Sequence, residues 1–460
     1  MKAMNILIGA ATLALVACGG SPKSGLKKGG DVPPPPPVQK TGGGDPTKPE
    51  PKREVSKDEQ KDYQAAVAFF ATNEKGGWSD SACRQSAERF QAVVREHPDS
   101  VEAQYMVGLS YHKCGQLEDA EKAYQAALRI KSSHGQSLSN LGEIYYRAGK
   151  VDGARKYWDS AIQANGKLIA ARNNVASMEL EQMRKLTAWT PEWKKLEEDA
   201  RFNLSNVLGV DSENAKAYTL YGLIYMEGWQ KNKNRLDLAK LLLDEAKKRN
   251  EKFAPLQNAY GLMYMHRNAL SEALQHFQQA VELDPKFVEA RKNVGFTTLG
   301  FRKYDVAKEQ FSKVLELASK DYDATIGLGI ANRGLKDFEG AEKAYKQAIT
   351  IDSKRGDAYY NLAVLYKDFR ATKQDPKESI ATYQQAQGYF KQFIEKGGNA
   401  DDIKEAKEQV ALIDKTIAST QKFLQNQANQ PPPPPAPKDQ AAPPADKGDK
   451  DDKSAPPDKK

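Results

Sequence analysis

The stretch Val101–His134 reads as two short amphipathic helices separated by a glycine. In its first half Val107, Gly108 and Tyr111 fall on one helical face, and Gly115 then breaks the pattern. In its second half Ala120, Tyr124, Ala127 and Leu128 recur at helical spacing. A helical hairpin of this size cannot bury its apolar face alone, so it must stack on copies of itself. The copies are present. Ala254–Phe287 carries Tyr260-Gly261, Tyr264, Leu270, Ala273, Phe277, Ala280 and Pro285 at the same offsets. Val288–Asp321 repeats them with Val294-Gly295, Tyr304, Ala307, Phe311 and Leu315. Tyr322–Arg355 does so with Leu328-Gly329, Phe338, Ala341, Tyr345 and Ala348, and Gly135–Leu168 with Leu141-Gly142, Tyr145, Ala154, Trp158 and Ala161.

This period of 34 residues resembles the tetratricopeptide repeat (TPR). A small residue at the eighth position and Ala at the twentieth let helices approach closely, and an aromatic at the twenty-fourth fills the space between neighbours. The resemblance implies an all-α, right-handed superhelical solenoid. A solenoid also accounts for 460 residues without several globular domains. Residues 56–100 read as a divergent first repeat, with an enlarged turn around Gly76-Gly77-Trp78. The array runs through residues 101–355, with enlarged turns near 185–195, around Trp189–Trp193, and near 229–235, around Trp229–Asn232. Exposed Trp in such insertions would suit a partner interface; Trp folded back would serve as a local cap. Residues 356–396 form the last repeat. Residues 400–427 form a capping helix with Ile403, Ala406, Val410, Ile413 and Ile417 on one side.

Two polar arms flank the array. Residues 1–17 read as a targeting segment, with Lys2 before an apolar run, Ile6–Val16, too short to span a bilayer. The run ends in Leu15-Val16-Ala17-Cys18, which resembles the lipobox of bacterial lipoproteins. That resemblance implies that Cys18 is acylated, with palmitate among the acyl chains, and becomes the mature N-terminus. Several acyl chains give stable membrane anchoring where one does not. Gly19-Gly20 follow the Cys with no Asp, and the resemblance to diderm lipoproteins then implies the outer membrane and a periplasm-facing chain. Residues 18–55, with Pro33–Pro37 and Gly42–Gly44, cannot build a core and read as a tether. Its reach is roughly 30 Å as a coil and about 120 Å extended. Residues 428–460 read as a second, disordered Pro-rich charged tail.

The net charge of +8 is spread along the chain without a basic stripe, so nucleic acid is not an expected partner. No metal-ligand spacing, Gly-rich phosphate loop or nucleophile elbow is present, so neither metal, cofactor nor catalytic residue is expected, and the chain reads as a non-enzyme. Cys83 and Cys114 fall at similar height on neighbouring helices, either as a disulfide or as two small buried fillers.

The TPR resemblance implies that the first helices line a groove in which Asn at the sixth position bonds an extended peptide. Here those residues are Asn140, Asn174, Asn293 and Asn361; they could equally satisfy local groups between repeats. Groove-facing positions include Tyr105, His112, Glu143 and Tyr146 early in the chain, and Leu223, Met226, Leu262, Met265, Phe296, Ile326 and Ile330 later. Met and aliphatic side chains suit an amphipathic helix or apolar peptide, and packing within the solenoid is the competing use.

The layout of lipobox, Pro-rich spacer, about nine repeats and charged Pro-rich tail resembles the TPR lipoproteins of the myxobacterial gliding motility machinery. It implies a scaffold whose partners are envelope proteins of that complex. Pilotin lipoproteins that assemble a secretin, and activators of peptidoglycan enzymes, are the alternatives.

Overall fold

The computed structural model describes residues 32–37 and 56–429. Among them are nineteen α-helices and no strand. The helices are α1 (Lys57–Gly76), α2 (Asp80–Glu96), α3 (Val101–Lys113), α4 (Leu117–Ile130), α5 (Gly135–Arg147), α6 (Val151–Ala164), α7 (Ile169–Lys185), α8 (Pro191–Val210), α9 (Ala215–Met226) and α10 (Asn234–Arg249). They continue with α11 (Ala254–His266), α12 (Leu270–Leu283), α13 (Val288–Gly300), α14 (Tyr304–Leu317), α15 (Tyr322–Gly334), α16 (Phe338–Ile351), α17 (Asp357–Val364), α18 (Pro376–Lys396) and α19 (Ala400–Ala428). The lipobox, residues 38–55 and the C-terminal arm lie outside the described residues.

The chain divides into two compact units, one running to Leu365 and one beginning at Tyr366. In the first unit every helix packs on the next in sequence. Odd-numbered helices also touch the following odd helix, at α5–α7, α7–α9, α9–α11, α13–α15 and α15–α17; no two even helices approach to that extent. The odd helices therefore line the inner, crowded side of this unit, and the even helices its outer side. This is the TPR solenoid arrangement expected.

The core rests on pairing a glycine with a ring. In five repeats the aromatic lies sixteen residues after the glycine: Tyr124 over Gly108, Trp158 over Gly142, Phe277 over Gly261, Phe311 over Gly295 and Tyr345 over Gly329. A Cβ on any of these glycines would fall less than 3 Å from the ring. Phe311 is seated twice, since Gly327 of α15 meets the same ring. The alanines Ala120, Ala154, Ala273, Ala307 and Ala341 are fully buried beside these seats.

Five of the hairpins turn through one left-handed residue at the fifteenth position of the repeat. Gly115 and Gly149 hold it at φ 71° and 77°, but Asn268, Arg302 and Lys336 hold it at 60°, 58° and 65°. A side chain with a Cβ is strained there, Asn least.

The long insertions lie partly within helices rather than within loops. Pro191–Trp193 form the first turn of α8, capped by Thr190, whose Oγ1 accepts from Trp193 N–H. α10 starts at Asn234. The boundary between the two units falls inside the stretch read as the last repeat. There α17 ends after eight residues and widens into a π-helical turn, Leu365–Arg370, followed by a short 3-10 turn, Ala371–Lys373. The helix restarts at Pro376, with the Asp375 carboxylate accepting from Lys377 and Glu378 N–H. In the second unit α18 packs on α19. Ser379, Thr382, Ala386, Phe390 and Phe393 are its buried residues on α18, and Ala406 and Ile413 on α19.

Cys83, fully buried on α2, and Cys114, capping α3, are joined as a disulfide with Cα atoms 6.3 Å apart. It ties the first repeat to the second.

Substitutions of opposite sign test these two backbone features. Gly261→Val drives a branched side chain into the Phe277 ring and should cost at least about 2 kcal/mol in urea unfolding. Arg302→Gly and Lys336→Gly relieve the left-handed strain and should each stabilise by about 0.5–1 kcal/mol.

Candidate functional site: the inner face of the odd helices

The sixth-position asparagines are mostly engaged within the array. Asn140 Nδ2 donates to Tyr124 Oη at 2.9 Å and lies 3.5 Å from Tyr105 Oη. Asn293 Nδ2 donates to Asn258 Oδ1 at 2.9 Å, a buried amide pair between α13 and α11. Asn361 donates to the Asp357 carbonyl at 2.9 Å and accepts from Arg333 at 3.3 Å. Asn174 is half-buried on α7 and makes no side-chain hydrogen bond among the described residues. It is thus the one of the four whose amide is left for a ligand.

The aromatic and aliphatic set divides. Tyr105 is half-buried, packed on Tyr124 at 5.7 Å and edge-on to His134 at 5.3 Å. The Tyr146 hydroxyl donates to the Glu181 carboxylate, and its ring leans on Trp158 at 5.4 Å. Phe296 meets Phe311 edge-on at 4.9 Å. Met265, Phe296 and Ile330 remain half-buried on the inner side. Met226 does not face a groove: it is 2% exposed, inside the core of α7–α13. Leu223, Leu262 and Ile326 are buried too. For Met226 the reason is local. α9 ends at this residue, and its side chain joins Trp193 and Leu236 in one buried cluster.

The insertion tryptophans are caps rather than exposed contacts. Trp193 is 1% exposed and stacks on Trp189 at 5.5 Å, and Trp189 Nε1 donates to the Gly228 carbonyl at 3.1 Å. Arg235, in the first turn of α10, ties the two insertions together. Its guanidinium donates to the carbonyls of Ile224, Tyr225 and Glu227, and pairs with Glu197 at 2.7 Å. It also lies over the Trp189, Trp193 and Tyr225 rings at 5.3 to 5.4 Å. The Trp229 ring lies 4.0 Å from Lys233 and 5.3 Å from the His266 ring, but its buried Nε1 has no hydrogen-bond partner among the described residues. The enlarged turns made the tryptophans conspicuous in sequence; nothing there marked Arg235, whose partners are mostly carbonyl oxygens.

Charges alternate along the inner side and are paired within it. Glu143 pairs with Arg147, Glu227 with Arg184 at 2.7 Å, and Asp321 with Lys292 at 3.0 Å. Burial pushes Glu289 up to about 7 despite Lys292, and the charge of Glu181 on α7 adds to that rise. Burial likewise holds Glu179 at about 7, outweighing Arg155 at 2.8 Å. Burial lowers His112 and His266, so both imidazoles favour the neutral form. Among the described residues no three His, Cys, Asp or Glu converge as metal ligands, and no helix is long and apolar enough to cross a membrane.

Inner-facing side chains carried on stacked helical hairpins define a helical-repeat binding scaffold. A family model of the tetratricopeptide repeat matches residues 81–135, 115–169, 230–286 and 299–358. The chain carries tetratricopeptide repeats over these stretches, a fold that generally presents surface to other proteins. Among curated proteins none matches it. Solved structures similar to it include TTC0263, a TPR protein of Thermus thermophilus, at 23% identity and TM-score 0.36, over 43% of this chain and 98% of that one. PilF of Pseudomonas aeruginosa is 18% identical at TM-score 0.38, over 52% of this chain and 99% of that one. PilW, a type IV pilus biogenesis factor, is 17% identical at TM-score 0.37, over 48% and 91%. At these identities the likeness is one of fold alone.

Two measurements probe the site. Arg235→Met leaves Glu197 buried without its partner and should cost about 3–5 kcal/mol in chemical unfolding; adding Glu197→Gln should recover part of the loss. Glu179 and Glu289 hold their protons to higher pH folded than unfolded. Their contribution to stability is therefore present below the ordinary carboxylate range and is lost as pH rises to about 7. Glu179→Gln and Glu289→Gln should each flatten that decline, read as the difference from the parent in unfolding free energy between pH 4.5 and 7.

Proposed function

We propose that this chain is a lipid-anchored TPR scaffold of the outer membrane, facing the periplasm, that holds together proteins of an envelope complex, the gliding motility machinery being the favoured one. The inner side of the odd helices carries the reading. It offers Asn174, Met265, Phe296 and Ile330 half-open between internally paired charges. Adaptable apolar side chains with few unpaired charges suit an amphipathic segment of another protein. The lipobox ending at Cys18 supports the anchor, and the order of tether, repeats and Pro-rich tail supports the motility complex.

A photo-crosslinking residue at Asn174 or Phe296, compared with one at Phe202 on the outer side, tests this in intact cells. Capture of motility-complex proteins from the inner positions is the expected result. Capture of a secretin or a wall enzyme there would replace the motility assignment, and capture from Phe202 alone would remove the inner face from the argument. Fractionation of Cys18→Ala tests the anchor separately: the variant should leave the outer membrane, and unchanged residence there would refute lipidation.

A further inference from the structure

The N-terminal Pro-rich stretch is not a free spacer throughout. Residues 32–37 lie against the start of α6, with Val32 half-buried and packed on the core of α4–α7. Val32 to Pro35 complete a hollow whose other walls are Gly149, Lys150, Val151, Asp152, Gly153 and Lys156.

Gly153 is the telling residue. It sits in the first turn of α6, where glycine weakens a helix by about 1 kcal/mol relative to alanine. A Cβ there would meet Val32 Cγ2 at 2.6 Å and Cγ1 at 2.8 Å. The matching position in α16 is also glycine, Gly340, but its space belongs to its own cap: Gly340 N–H donates to Asp337 Oδ1 at 2.9 Å, and a Cβ would strike that carboxylate. α6 has no such cap, because Lys150 makes no side-chain capping bond. The three atoms nearest the gap left by Gly153 all belong to Val32.

We infer that the start of α6 is a docking site for the chain's own Val32–Pro37 segment, with Val32 as the anchor over Gly153 and the prolines lying along Val151 and the lysine stems. A run of five prolines suits this role. It is already extended before it docks, so little chain entropy is lost, and it has no N–H groups that burial would leave unsatisfied. Lys150 and Lys156 can cover apolar rings with their stems while their charges stay in water. Combined with the proposed lipid at Cys18, the docking shortens the free tether to the fourteen residues before Val32, a reach of at most about 50 Å. It also makes α6, rather than α1, the part of the array held nearest the bilayer. Only this last consequence rests on the anchor.

The test uses the full chain with Cys18→Ser and paired nitroxide labels at Pro37→Cys and Gln163→Cys, the native disulfide taking up the other thiols. A single narrow distance is expected between the labels. Val32→Asp or Gly153→Gln should convert it to a broad distribution while the helical signal and unfolding midpoint are kept, since glutamine is the better helix former. A broad distribution in the parent, or a narrow one that survives both substitutions, would overturn the docking. Neither outcome bears on lipidation, which the Cys18→Ala fractionation reads by itself.

Discussion

Five of the repeats hold together because one residue of each hairpin has no side chain. Opposite Gly108, Gly142, Gly261, Gly295 and Gly329 an aromatic ring lies directly on the backbone of the neighbouring helix. The ring fixes how close the two helices come and at what height they meet. That contact propagates: Phe311 touches glycines of both its own repeat and the next, so one ring sets the spacing within a hairpin and between hairpins. The inner face inherits its geometry from these seats, because the side chains at the neighbouring helical positions are turned toward the crowded side.

The periodic part of this fold was legible in the sequence because glycine, alanine and aromatic recur at fixed offsets and each has a steric job. The stripe of α19 could be read for the same reason: Ile403, Ala406, Val410, Ile413 and Ile417 are withdrawn from solvent at helical spacing. The pairing of Cys83 with Cys114 was one of two open readings, and the disulfide resolves it. What periodicity could not carry were the places where the period is broken. Repeat position puts Met226 on the inner side, yet it lies buried in one cluster with Trp193. Arg235 looks like one more surface cation, and its role depends on three carbonyls gathered at the end of α9 by a turn that no local pattern announces. In the sequence Val32 reads as part of a spacer, since a glycine early in a helix ordinarily signals only weakness.

The candidate site was half legible. Position in the repeat identified the residues of the inner side, but not which of them the array uses for itself. Asn293 and Asn361 serve the stack, through Asn258 and Arg333, while Asn174 keeps its amide free. An amide that bridges two helices and one that would receive a peptide occupy the same offset, and only the neighbour's side chain distinguishes them. The same holds for charge: acids that would suit a basic partner are matched to cations on a neighbouring inner helix.

The disulfide has a mechanical consequence for a stack of helical hairpins. Were the array loaded by tension between its two ends, hairpins without a covalent tie could peel off singly and pay out their contour. The thirty-one-residue span from Cys83 to Cys114 cannot lengthen, which withholds roughly 100 Å of slack. α2 and α3 therefore form an inextensible pair, and any give under load falls on the helices outside that loop.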